Sequence, residues 1–149
     1  MTVLGEKENG LNSITARAII ERVGGQGTPP EYGFQYFTAG LDLYLGVIDD
    51  EYLKSFIKDG GSAFKMIVET YGGGKTHFLY SIRELSWKYD YLTSYVSLSP
   101  DYTPFHKLEQ VYKSIVENLI YPQSAEDLLS EYERGIDAVI KKWYYGKYS

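Results

Sequence analysis

Residues 67–78 read Ile67-Val68-Glu69-Thr70-Tyr71-Gly72-Gly73-Gly74-Lys75-Thr76-His77-Phe78, and this stretch decides the fold. An apolar run over residues 64–68 leads into three consecutive glycines, and a helical pattern follows Lys75 and Thr76. This is the strand–loop–helix order of a phosphate-binding P-loop. We therefore predict an α/β fold, a P-loop NTPase-like parallel sheet with flanking helices.

The residue types of the loop suit an anion. Glycines allow successive backbone N–H groups to turn toward one anion because no Cβ stands in the way. A helix that begins near Lys75 directs the positive end of its dipole to the same point. We expect Lys75 to reach the β- and γ-phosphates, and Thr76 to offer its hydroxyl to the Mg²⁺ that accompanies the nucleotide. The nucleotide-binding candidates are Tyr71, Gly72, Gly73, Gly74, Lys75, Thr76 and His77.

The loop departs from the consensus G-x-x-x-x-G-K-S/T at one position, because Glu69 stands where the first glycine is expected. The alternative interpretation is a flexible glycine turn with an incidental lysine. The position of Gly-Lys-Thr between an apolar run and a helix favours phosphate binding. We interpret the ring of His77 as structural, packing outward while its backbone N–H faces the α-phosphate. Tyr71 is expected to pack beside the nucleotide or over the sheet edge.

Composition narrows the classes of protein. A chain of 149 residues, 44% hydrophobic and 23% charged, fits one globular domain with a core. The net charge of −5 argues against a surface that coats nucleic acid, although a local basic patch stays possible. Without cysteine there are no disulfides, thiolate metal sites or cysteine nucleophiles, so nucleotide-borne Mg²⁺ is the only metal predicted. No apolar run approaches a membrane span, which predicts a cytoplasmic protein without membrane contact.

Hydrophobic periodicity and capping signals predict helices and strands in alternation. Helices are predicted over residues 14–23, 38–58, 75–88, 103–120 and 124–145, and strands over 63–68 and 91–99. Glycine pairs at 24–25 and 60–61 are expected to end the first two helices, and Ser124-Ala125-Glu126-Asp127 to open the last helix as a capping box. Residues 1–12 are expected to form a flexible N-terminal arm. Residues 13–121 are assigned to the N-terminal part of a P-loop ATP-binding domain, and residues 122–149 to a C-terminal helix with an aromatic-basic tail.

An acidic residue at the end of a second strand is missing from the pattern. A P-loop ATPase needs such a Walker B carboxylate to hold Mg²⁺ and to orient the attacking water. The nearest candidates are Asp101, Asp127 and Asp137, of which only Asp101 follows a predicted strand. No catalytic residue is therefore assigned. We expect an incomplete sheet and little ATP turnover by the chain alone.

Several segments together resemble the ATP-binding P-loop proteins of bacteriophage-exclusion (BREX) defence systems, a branch of the AAA-type ATPases. Their order and spacing carry the resemblance over roughly residues 16–120, since only the P-loop segment is specific alone. The segments are Ala16-Arg17-Ala18-Ile19-Ile20-Glu21, Pro29-Pro30, Phe37-Thr38-Ala39-Gly40-Leu41-Asp42, Gly60-Gly61-Ser62-Ala63-Phe64-Lys65, Tyr71-Gly72-Gly73-Gly74-Lys75-Thr76-His77-Phe78-Leu79 and Val96-Ser97-Leu98-Ser99-Pro100.

The resemblance implies the ATP-binding module of an AAA-type ATPase linked to anti-phage defence, with other defence-system subunits as partners. It also implies that Arg17 and Arg22 line the adenine pocket, with exposed solubilising arginines as the alternative. Family members usually have glycine at the position of Glu69. The expected Walker B and further strands after about residue 121 are replaced by the helix 124–145, so we expect a truncated member or a small stand-alone relative.

Other functions stay open. A non-catalytic interaction protein that retains a P-loop fold needs no Walker B. A small P-loop kinase needs an arginine-rich lid, and residues 121–149 hold only Arg134. The tail over residues 141–148 interleaves basic and aromatic side chains, which suits stacking on single-stranded nucleic acid or docking onto a partner. The acidic whole favours docking. Apolar helix faces beside only two strands also predict self-association.

Overall fold

The computed structural model describes residues 13–26, 38–124, 127 and 132–148. The chain divides into two compact units, residues 1–89 and residues 90–149. The predicted flexible arm over residues 1–12 lies outside the described residues, as does most of the linker that follows the first helix. The assignment of domains at residues 13–121 and 122–149 stays a prediction.

The first unit is helical in its described part. Helix α1 spans Ser13–Gln26, α2 spans Asp42–Val47, a π-helix named π1 spans Ile48–Phe56, and α3 spans Lys75–Trp87. The helices predicted over 14–23 and 75–88 are confirmed. The helix predicted over 38–58 is also present, although it begins at Asp42 and widens into π geometry half-way. It ends in a turn where Gly60 takes a positive φ of 87°, as the glycine pair there predicts.

The π-helix owes part of its stability to an ion cluster on one lysine. The ammonium of Lys54 lies 2.8 Å from a carboxylate oxygen of Asp49 and 2.8 Å from one of Asp50. Because a π-helix joins each residue to the fifth one along, Asp49 and Lys54 come into register, which a regular α-helix would not allow. The same step appears where the N–H of Ile57 bonds to the carbonyl of Tyr52 at 2.8 Å.

The core of this unit lies where α3 packs against α2 and π1. Leu45 of α2 and Leu85 of α3 are fully buried, and Leu53 of π1 is nearly so. Ser81 is also fully buried, and its hydroxyl donates to the carbonyl of His77 at 2.9 Å. A small, locally satisfied side chain at this position lets the helices approach closely. The contact fixes α3, and with it the residues that precede α3.

The predicted strand over residues 63–68 is not observed. Residues 61–70 adopt no regular secondary structure, and the side chains of Phe64, Met66 and Val68 are 87%, 76% and 80% exposed. A buried parallel strand needs neighbouring strands to accept its N–H groups and cover its faces. The described residues of the first unit provide no such strand. Residues 64–68 are therefore not in a strand, although their apolar sequence favours one.

The second unit contains a two-stranded antiparallel sheet. Strand β1, Thr93–Ser94, pairs with β2, Leu119–Ile120, with Thr93 opposite Ile120. Helix α4, Leu108–Glu117, lies between the strands in sequence, and α5, Ile136–Tyr148, packs on β2. The strand predicted over 91–99 is thus reduced to two residues. Among the described residues, this antiparallel pair stands in place of the predicted parallel sheet. Strand β1 pairs with the strand that follows α4, and not with a strand at residues 63–68.

Two predicted helices of the second unit are shorter than expected. The helix predicted from residue 103 begins at Leu108, because residues 99–103 form a tight turn closed by reciprocal backbone bonds between Ser99 and Thr103. The helix predicted over 124–145 is interrupted, since residues 132–135 are not helical. Its predicted capping box is confirmed: the hydroxyl of Ser124 donates to the carboxylate of Asp127 and accepts from the N–H of the same residue.

A matched pair of substitutions tests the role of the ion cluster in π1. The side chain of Asp49 is 10% exposed and that of Asp50 is 69% exposed, although both bind Lys54 at 2.8 Å. We expect Asp49→Ala to lower the free energy of unfolding by about 2 kcal/mol, because a buried acceptor is lost beside a charged donor. Asp50→Ala should cost less than about 1 kcal/mol, as exposed ion pairs do. Urea unfolding followed by circular dichroism measures both, and equal losses would contradict this role.

Candidate functional site

Positive φ angles at two glycines shape the segment from Glu69 to Thr76, which we call the glycine loop. Gly72 has a φ of 81° and Gly74 a φ of 84°, a backbone conformation that favours glycine. The N–H of Gly73 donates to the carbonyl of Thr70 at 3.1 Å and closes a turn. Gly74 is the N-cap of α3, and no side chain of the described residues caps this helix end. The loop therefore leads directly into the N-terminus of α3 through a cap residue that has no side chain.

Lys75 folds back across the loop. Its ammonium donates to the backbone carbonyls of Glu69 at 3.0 Å and of Thr70 at 2.7 Å. These bonds join the first residue of α3 to the beginning of the loop. Both bonds are exposed, and their acceptors are uncharged carbonyl groups. A phosphate oxygen carries negative charge, so it is a stronger acceptor for the same ammonium.

The carboxylate of Glu69 lies against the loop from the other side. One carboxylate oxygen accepts bonds from the N–H of Thr70 at 2.8 Å and from the hydroxyl of Thr70 at 3.1 Å. The N–H and hydroxyl of Thr70, followed by attraction from Lys75, hold the pKa of Glu69 below its usual value. A Cβ added at Gly73 would clash with Cγ of Glu69 and lie 2.8 Å from its Cδ. A side chain at position 73 would therefore require the side chain of Glu69, which replaces the first consensus glycine, to move.

The remaining candidates follow the loop into α3 or lie at its tip. Thr76 is the second residue of α3 and is half-buried, whereas the side chain of Tyr71 is fully exposed and covers neither loop nor sheet. The ring of His77 is half-buried, and its Nε2 lies 2.9 Å from the hydroxyl oxygen of Thr38. Burial lowers the pKa of His77. Its ring is therefore a structural tie, as expected, but it packs inward against Thr38 rather than outward.

Thr38 is a residue that the sequence alone did not single out. It lies 39 positions before His77 and precedes α2, yet it anchors the first turn of α3. The available signal was the segment Phe37 to Asp42, which is part of the family resemblance but carries no motif of its own. In the structure, Thr38 of that segment contacts His77 and so helps to fix the helix that follows the glycine loop.

Arg17, which was predicted to line the adenine pocket, forms an ion pair with another residue of α1. The Nε of Arg17 donates to the carboxylate of Glu21 at 2.9 Å, and the side chain of Arg17 is 82% exposed. This arrangement is the i, i+4 pair of a solvated helix face. The side chain of Arg22 lies outside the described part of the chain.

The three aspartates considered for the missing Walker B position belong to the second unit. Asp101 lies in an exposed turn, Asp127 forms the capping box, and Asp137 lies in the first turn of α5. None of the three therefore closes a buried strand. Within the described residues, no group of three or more His, Asp or Glu side chains is placed to hold a metal ion.

The far half of α3 carries a buried carboxyl group. Burial raises the pKa of Glu84 to about 7, while the charges of Arg83 and Lys88 act in the opposite direction. The guanidinium of Arg83 lies 4.6 Å from the ring centre of Tyr80 and 4.7 Å from that of Trp87. These cation–π contacts join residues three and four positions apart on α3, so they stabilise the far half of the helix itself.

Residues 12–145 match the family model described as BREX system ATP-binding protein BrxC/D. The match covers most of the chain. This chain belongs to the BREX ATP-binding protein family. The resemblance over residues 16–120 is therefore confirmed, and the C-terminal region up to residue 145, which we expected to replace the family's continuation, lies within the match. No curated protein and no solved structure matches the chain.

Membership in a BREX ATP-binding family supports a general role for this chain that is linked to the defence system. The helices of the described residues include none that is both long and apolar enough to cross a bilayer. The same family membership makes other subunits of the system the relevant class of partner.

The buried carboxyl of α3 makes a pH-dependent contribution to stability. Because the pKa of Glu84 rises from 4.5 to about 7 on folding, the protonated form stabilises the fold, and that contribution is lost as the pH rises through this window. From pH 4.5 to pH 8 we expect the wild type to lose up to about 3 kcal/mol relative to Glu84→Gln. Urea unfolding at each pH measures the difference. The control is Glu51→Gln on an exposed face of π1, and parallel curves for wild type and Glu84→Gln would contradict the assignment.

Proposed function

We propose that the chain binds ATP with Mg²⁺ through the glycine loop, as a nucleotide-binding module of a BREX-type AAA ATPase. The observation that carries the proposal is the position of Lys75. Its ammonium binds two backbone carbonyls at the start of the loop, and Lys75 is itself the first residue of the helix that follows the cap residue Gly74. A positive side chain, two left-handed glycines and a helix N-terminus converge on one place, which suits a polyphosphate.

Each loop residue has a role in this proposal. The N–H groups of Gly74 and Lys75 bind the β-phosphate, while that of Gly73 keeps the turn closed on Thr70. The Lys75 ammonium leaves the carbonyls for β- and γ-phosphate oxygens. The hydroxyl of Thr76 supplies one ligand to Mg²⁺, which takes its other oxygens from phosphates and water. His77 contributes its backbone N–H, because its ring is engaged with Thr38.

The proposal places the protein in the cytoplasm, with another subunit of the defence system or a second copy of this chain as its partner. The exposed apolar run at residues 64–68 supports a partner, because a strand-forming sequence with uncovered faces gains most from pairing. The same run supports the second candidate function, a non-catalytic interaction protein that keeps the nucleotide-binding loop.

Removal of the loop lysine tests the proposed site directly. We expect Lys75→Ala to weaken ATP binding about 10- to 100-fold in calorimetry, because a charge-assisted bond to the phosphates is lost. The control is Lys58→Ala, which removes the same charge from the exposed turn that follows π1. Equal affinities of the wild type and Lys75→Ala would show that ATP does not bind at the glycine loop.

Turnover of ATP by the chain alone is expected to be slow. Lysine and Mg²⁺ supply only part of the charge stabilisation of phosphoryl transfer. No Walker B carboxylate or arginine finger is assigned among the described residues, and the lack of both corresponds to roughly a thousandfold in rate. Steady-state phosphate release by the purified chain measures this, with Lys75→Ala as background. Turnover of about 1 per second that is lost in Lys75→Ala would contradict the expectation. Asp101 would then be the first carboxylate to replace.

A further inference from the structure

Glu69 is the one acidic side chain that the glycine loop itself holds in place. Its carboxylate accepts two bonds from Thr70, one from the N–H at 2.8 Å and one from the hydroxyl at 3.1 Å. Its Cγ and Cδ fill the space that a side chain at Gly73 would occupy. The carboxylate is thus a negative group bound to a backbone donor of the loop, which is the kind of contact a phosphate oxygen would make there.

The charge of Glu69 also acts on the loop lysine. Attraction from Lys75 is among the causes that lower the pKa of Glu69, so the carboxylate and the ammonium interact favourably. A nucleotide brings several negative charges to the same ammonium. These charges repel the carboxylate, and the polyphosphate competes with it both for Lys75 and for the N–H of Thr70.

From this geometry we infer that Glu69 is an affinity-determining residue of the glycine loop, an internal anion that a polyphosphate must displace in order to bind. The inference rests on the proposed function of the loop. It assigns a consequence to the departure from the P-loop consensus: the loop is already folded, but its anion-binding face is partly occupied by its own side chain.

Two substitutions separate the charge of Glu69 from its shape. Glu69→Gln keeps the size of the side chain and an oxygen that can accept from Thr70, but removes the negative charge. Glu69→Ala removes both the charge and the contact with Gly73. Glu51→Gln is the control, because it changes the net charge of the same unit equally at an exposed position outside the loop.

The experiment is a calorimetric titration of the full chain with Mg·ATP and, separately, with inorganic tripolyphosphate. We expect Glu69→Gln and Glu69→Ala to bind both ligands about fivefold more tightly than the wild type at low salt, as one removed charge at a few ångströms predicts in water. The gain should shrink as salt is raised, because the charges are exposed and screened. Glu51→Gln should bind like the wild type.

The outcomes distinguish this inference from the proposed function. If Lys75→Ala weakens binding while both Glu69 variants bind like the wild type or more weakly, the inference is overturned and the loop remains the site. The same holds if Glu51→Gln tightens binding as much as Glu69→Gln, since net charge alone would then explain the gain. If neither the wild type nor the Glu69 variants bind either ligand, the proposed function and the inference fall together.

Discussion

The hydrogen bonds of Lys75 to the carbonyls of Glu69 and Thr70 are the constraint on which the site depends. The glycine loop is exposed, and no strand of the described residues holds its beginning. Its end is fixed, because α3 is packed on α2 and π1. Because Lys75 belongs to α3, its two hydrogen bonds fix the start of the loop relative to that helix. The same ammonium is the group that would bind a polyphosphate, so the bonds that shape the loop are also the ones that binding would exchange.

The helices could be predicted from the sequence because their signals are local. Periodic apolar residues, the glycine stop at Gly60 and the box at Ser124 and Asp127 act within a few positions, and the structure confirms these three signals. The glycine loop was found for the same reason. The glycine stop predicted at Gly24-Gly25 is wrong, because α1 continues through both residues to Gln26. The strands could not be placed from local signals, since a strand is stable only beside another one, and residues 63–68 lack a partner among the described residues.

The π-helix shows a second limit of sequence interpretation. Apolar residues over 38–58 recur at steps of three and four, so the pattern predicts an ordinary α-helix. The wider step brings the buried carboxylate of Asp49 to Lys54, five positions on, and an apolar pattern does not signal that pairing. The bond between Thr38 and His77 escaped prediction in the same way, because it joins residues 39 positions apart that share no motif.

Residues 64–68 precede the glycine loop and form no strand, so regular secondary structure supports the loop only at its end, where α3 begins. Phe64, Met66 and Val68 expose apolar surface to water, and burying it in a sheet would be favourable by about 25 cal/mol for each Å² removed from water. Without such a sheet, the start of the loop is held by Lys75, by the contacts of Glu69 and by the bond from the N–H of Gly73 to the carbonyl of Thr70. Glu69 therefore has a structural role as well as an electrostatic one. A side chain that opposes phosphate by its charge also fills the loop through its contact with Gly73, which is why the consensus glycine can be absent while the turn persists.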